Sequence, residues 1–261
     1  MTRSNVLIAA LDDSAAARPV LDAAQHLASF VHADVHAVHV REDGSGSTAQ
    51  ALAEAADVPF HARGGRDADV VGELDEARHD LHASGIVAGA RGAPSATRPV
   101  GHVALRLVQE LGVPVVLVPP LADDRELKRV LVALEGDGES EALTALMEQL
   151  DDDAPEIVAL HVFAPEDLPM FGDEPGYERE AWADEFLRRA ANAPHVSIRL
   201  ELRVGNVVNE VPAAVRDLDV DLVAMGWHCT LEGGHGRVVQ RTLESSSVPV
   251  LLLPIGRRAA L

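Results

Sequence analysis

The chain alternates between short apolar runs and longer stretches with helical spacing. Val6–Leu11 (VLIAAL), Val35–Val40, Ile86–Ala90 and Val113–Val118 are apolar enough to be strands buried on both faces of a parallel sheet, and Val58–Arg63 fits a further strand. Between them, Ala15–Val31 carries Leu21, Ala24, Leu27, Ala28 and Val31 on one helical face. Asp12, Asp13 and Ser14 stand where N-caps are needed, and Pro19 falls in the first turn, where its missing N–H is tolerated. Thr48 caps a short helix that runs to Ala56, and further helices are predicted over Val70–His82 and Gly101–Leu111. Strict alternation of strand and helix predicts a parallel sheet with helices on both faces.

The pattern then restarts. A polar stretch, Leu121–Leu127, separates Val118 from Val130–Ser140, VLVALEGDGES, which repeats the VLIAALDDS of Val6–Ser14. Ala159–Phe163 repeats Ala37–Val40. After a long Pro-rich and acidic loop, Ala164–Gly176, come a helix near Glu178–Ala191, a strand at Val196–Val204 and a helix at Val207–Leu218. The closing unit, Asp221–Pro254, aligns with Gly85–Pro119: Gly236 falls on Gly101, Val238 on Val103, Arg241 on Arg106, Pro249 on Pro114 and Pro254 on Pro119. The repeat period is a whole domain, which gives domains 1–121 and 128–261, each with room for an ordinary core.

Composition narrows the partners. The formal charge is −20, which argues against nucleic acid and anionic membranes. No apolar run reaches the roughly 18 residues of a membrane span. A single cysteine, Cys229, fits a reducing compartment, and the expected location is cytoplasmic. In each half a Gly-rich loop follows the fourth strand, where a helix N-terminus can meet an anion. Both loops are basic in an acidic protein: Arg91, Arg98 and His102 in the first, His228, His235 and Arg237 in the second. Arg106 and Arg241, further along the helices, are expected to pair with nearby carboxylates or with the opposite domain instead.

Four features together resemble the universal stress protein family in a tandem form. The first strand ends in Asp-x-Ser (Asp12, Ser14), and the second ends in His-Val (His39-Val40, His161-Val162). A Gly-rich loop follows strand four, and the last strand begins Val-Pro-Val (Val113–Val115, Val248–Val250). The resemblance implies two tandem five-stranded α/β domains of strand order 3-2-1-4-5, nucleotide-binding-like, packed through their fifth strands. It also implies a stress-response or regulatory role without dedicated catalysis, and a homodimer as an ordinary assembly. ATP, with magnesium accompanying it, would sit in the first domain. Asp12 and the backbone of Val40 would hold the adenine side. Gly89 and Gly92 would let ribose and phosphates approach, and Gly101, His102 and Val103 would present N–H groups at a helix start.

The loops depart from the family's nucleotide-binding pattern. The first has Gly89, Gly92 and Gly101 but is one residue short, and His102 replaces a hydroxyl residue. The second has Cys229 in place of a glycine, is shorter still, and follows a first strand ending Glu135-Gly136. Four readings stay open on the sequence: a nucleotide-binding regulator, a scaffold that no longer binds nucleotide, a slow ATP hydrolase, and a binder of a small non-nucleotide anion. Cys229, His228 and His235 match no structural metal spacing, and no nucleophile or acid–base pair stands out, so neither a metal site nor a catalytic residue is assigned.

Overall fold

The computed structural model describes residues 5–41, 46–65, 67–91, 100–134, 155–164, 197–230 and 233–255. The first half runs β1 (Asn5–Ala10), α1 (Ala17–Val31), β2 (Ala33–Val40), α2 (Ser47–Ala55), β3 (Phe60–Arg63), α3 (Val70–Leu81), β4 (Ala83–Gly89), α4 (His102–Glu110) and β5 (Val115–Val118). The described part of the second half runs β6 (Arg129–Leu134), β7 (Glu156–Phe163), β8 (Ile198–Val204), α5 (Val207–Asp217), β9 (Leu222–Trp227), α6 (Gly233–Ser245) and β10 (Val250–Pro254). The helix expected near Glu178–Ala191 and residues 165–176 of the long loop lie outside the described residues.

The strands form one ten-stranded sheet in the order β3-β2-β1-β4-β5-β10-β9-β6-β7-β8. Each half contributes the order 3-2-1-4-5, with every pair inside a half parallel. The halves meet at β5 and β10, which pair antiparallel with Val116 opposite Leu251. Each of these strands would otherwise leave an apolar edge unpaired. β5 starts at Val115, not Val113, because Pro114 has no N–H for the ladder; its carbonyl accepts from Ile86 N–H. Residues 119–128, without helix or strand, connect the halves.

The core divides by sheet face, not by half. One apolar cluster joins Ile8, Leu74, Leu107 and Leu117 to Leu131, Val211, Trp227 and Leu252. The other joins Leu21, Ala24 and Val116 to Val132, Ile157 and Leu251. Helices α3 and α4 cover the first face, and α1 and α2 the second. Two ordinary cores are therefore present, but each runs across the β5–β10 seam.

The start of α1 differs from expectation. Its N-cap residue is Ala16, with no side-chain cap. Asp12 Oδ1 instead accepts from the N–H and hydroxyl of Ser14, and the Ser14 hydroxyl accepts from Ala16 N–H. These short-range bonds turn the chain off the end of β1 before the helix begins. Thr48 does not cap α2 either; the N-cap residue is Gly46.

Candidate functional site

A parallel sheet delivers the loops after its strands to one end, and the crevice opens where neighbouring strands lead off in opposite directions. In the first half that point lies between β1, which is followed towards β2, and β4, which is followed towards β5. A cleft of about 490 Å³ lies there, within the range of small-molecule sites. Asp12, Val40, Gly89, Gly101, His102 and Val103 all line it. Gly92 lies outside the described residues.

The polar groups at its mouth have separate tasks. Asp13 accepts backbone N–H bonds from Gly46, Thr48 and Ala49, and so caps α2 from a distance of 33 residues in sequence. Burial pushes its carboxyl up, but the three N–H groups and the nearby His39 ring outweigh that and hold its pKa below the usual value. His39 is buried, with Nδ1–H donating to the Leu11 carbonyl at 2.8 Å. Gly46 lies against its ring at φ +115°, and a Cβ there would fall 2.7 Å from His39 Cδ2. The sequence singled out neither Asp13 nor His39 for the site, although the His-Val pair recurring in both halves was a signal. His36, on the other face of β2, stacks on His61 at the far side, where burial and then the His36 and Arg63 charges lower the His61 pKa.

The anion end is built by β4 and α4. The N-cap residue of α4 is Gly101, and no side chain caps the helix. The N–H groups of His102, Val103 and Ala104 are the ones a helix start leaves without intrahelical partners. The Gly101 N–H does not join them, because it donates to the Ala90 carbonyl at 2.8 Å. The Gly101 N–H is therefore committed to the turn after β4. Arg91 lines the cleft with its Nε buried and without a hydrogen-bond partner. Arg106, by contrast, is fully engaged: it donates to both oxygens of Asp69 and of Glu110 at 2.7–3.2 Å, which raises its own pKa and lowers theirs. Arg241 pairs with Glu244 at 3.8 Å. Both helix arginines are thus bound to carboxylates, as their placement predicts.

The second half repeats some of this geometry and alters the rest. His161 Nδ1–H donates to Leu134 O, as His39 does to Leu11, and burial lowers the His161 pKa. The strand register puts Trp227 at the position of Ala90. The loop before the helix spans residues 228–232, against 90–101 in the first half, and α6 begins at Gly233, a turn ahead of the position matching His102. Cys229 is half-buried in this loop with φ +59° and packs on the core. Trp227 is buried and donates its indole N–H to the carbonyl of Val108, in the last turn of α4. Among the described residues, no three His, Cys, Asp or Glu side chains gather as metal ligands, and no helix is long and apolar enough to cross a membrane.

Fold and cleft together define a tandem, doubly wound α/β protein with its crevice at the strand switch point. Residues 126–254 match the model of the Universal stress protein family. The second half of the chain is thus a universal stress protein domain by its sequence, and the first half repeats the same fold. The match falls on the copy with the shorter loop, not on the copy that keeps all three glycines. Among solved structures, a universal-stress-type protein from Pseudomonas aeruginosa UCBPP-PA14 superposes with a TM-score of 0.71 at 16% identity, covering 97% of this chain and 94% of that one. A universal stress protein from Archaeoglobus fulgidus DSM 4304 gives 0.67 at 17% identity, covering 97% and 99%. Both are two-domain relatives in fold. No curated protein sequence matches the chain.

Proposed function

We propose that the protein is a stress-response regulator that binds ATP in the cleft of its first half, with residues 1–121 as the binding domain and 128–261 as its structural partner. One observation carries this reading: the unpartnered Arg91 Nε lies in the same cleft as the uncapped start of α4. A buried guanidinium nitrogen without an acceptor is costly, and an anion in the cleft would supply one. Helix-start N–H groups favour the same charge. Gly89 adds room, since a Cβ there would stand 3.1 Å from the Arg91 carbonyl oxygen. Asp12 and Val40 would face the adenine.

Magnesium would travel with the phosphates. Asp13 is committed to α2 and Asp12 Oδ1 to Ser14, so the cleft offers the ion little of its own. The same commitments favour binding over hydrolysis. The reading carries a cytoplasmic location and pairing of two chains as expectations.

Calorimetric titration of ATP with magnesium tests it. The expected result is about one site per chain, with affinity lowered roughly tenfold or more by Arg91→Ala, the scale of a lost charge-assisted bond. No heat and no shift in melting temperature would leave the scaffold reading.

A further inference from the structure

We propose that Trp227, from the other half of the chain, is a positioning residue for the anion end of the first cleft. The inference rests on reading that cleft as an anion site, and it adds a contribution that residues 1–121 cannot make alone.

The argument follows α4. This helix spans His102–Glu110, so it is short enough to depend on its ends. Its N-terminal turn lines the cleft through His102, Val103 and Ala104. Its last four carbonyls have no partners within the helix, as in any α-helix. One of them, Val108 O, is met by the indole N–H of Trp227 at 2.7 Å in a buried setting. The Trp227 side chain is only 2% exposed and lies in the same apolar cluster as Leu107 and Val108.

The antiparallel seam makes this reach possible. With β5 and β10 running in opposite directions, the exit of β9 comes beside the entry of β5, where α4 ends. The repeat itself does not call for it. At the matching position the first half has Ala90, which has no polar side-chain atom to offer α6. The bond therefore runs one way, from the second half's loop entrance to the helix that heads the first half's cleft. A helix transmits a shift along its axis with little give, so fixing the Val108 end fixes where the first-turn N–H groups stand.

The test compares full-length wild type with Trp227→Phe, which keeps an aromatic ring and removes the donor. Amide hydrogen exchange over residues 101–111 should quicken in the variant, with the fold and the sheet amides preserved. ATP affinity should fall about five- to tenfold, the scale of one orphaned buried acceptor. The chain has two tryptophans, so a Trp182→Phe background leaves Trp227 as the reporter, and ATP should change its emission. Unchanged exchange in α4 together with unchanged ATP affinity in Trp227→Phe would overturn the proposal and leave the indole as packing alone. If wild type binds no ATP, the nucleotide reading fails separately. The exchange arm then decides: unaltered α4 protection overturns the brace, and a loss confined to α4 upholds it.

Discussion

The loop after β4 and the loop after β9 begin at matched positions, yet one starts with Ala90 and the other with Trp227. The first lines an open crevice, with Arg91 Nε unpartnered inside it. The second drives an indole across the seam into the partner helix. The same strand–loop–helix–strand unit thus lines a cleft in one copy and supplies a joint in the other. The copies differ there in side-chain volume and in loop length, residues 90–101 against 228–232.

The largest effect is expected at that joint. Trp227→Ala should cost about 3–5 kcal/mol, the range for emptying a buried aromatic site, read as a fall in denaturant midpoint. Its counterpart Ala90 has no comparable volume to remove. A variant as stable as wild type would dissolve the contrast between the copies.

Asp13 is the next point of difference. The strand register places Gly136 at the matching sequence position. Asp13→Asn should destabilise by about 1 kcal/mol at neutral pH, as for other lost caps at a solvated site. The Asp13 pKa is lowered on folding, so its contribution is complete above about pH 4 and is lost as the pH falls below that. The deficit of the Asn variant should therefore shrink in acid, and a deficit constant down to pH 2 would remove the capping role.

The smallest effect should have the opposite sign. Thr242, on the inner face of α6, is fully buried with an unpartnered hydroxyl, where α4 has Leu107. Thr242→Val should raise stability by up to about 1 kcal/mol, since it replaces an unsatisfied polar atom with a methyl group. A loss would mean that the hydroxyl has a partner in solution.

Much of this was legible in the chain itself. Apolar runs at strand length, alternating with helical faces, fix a parallel sheet, and the repeat of Val-Pro-Val gives both halves one topology. Asp12, Val40, Gly89, Gly101, His102 and Val103 are grouped by the family resemblance, and because a parallel sheet sends its strand ends to one side, all six line one cleft. What could not be read were contacts set by the third dimension. Asp13 looked like a cap for the helix immediately after it and instead serves one 33 residues on. Trp227 meets Val108 across 119 residues, through a seam whose register no local pattern encodes. A large aromatic in a chain with 3% aromatics, standing where its copy has alanine, was the available clue.

The β5–β10 pairing also has a genetic consequence. Two separate chains joined edge to edge come apart on dilution, whereas mates tethered by residues 119–128 face each other at an effective concentration on the order of millimolar or higher. Their union does not depend on how much protein a cell makes. Because both mates descend in one gene, a mutation that remodels one copy is always inherited beside the other, and neither has to remain able to pair with a twin of itself.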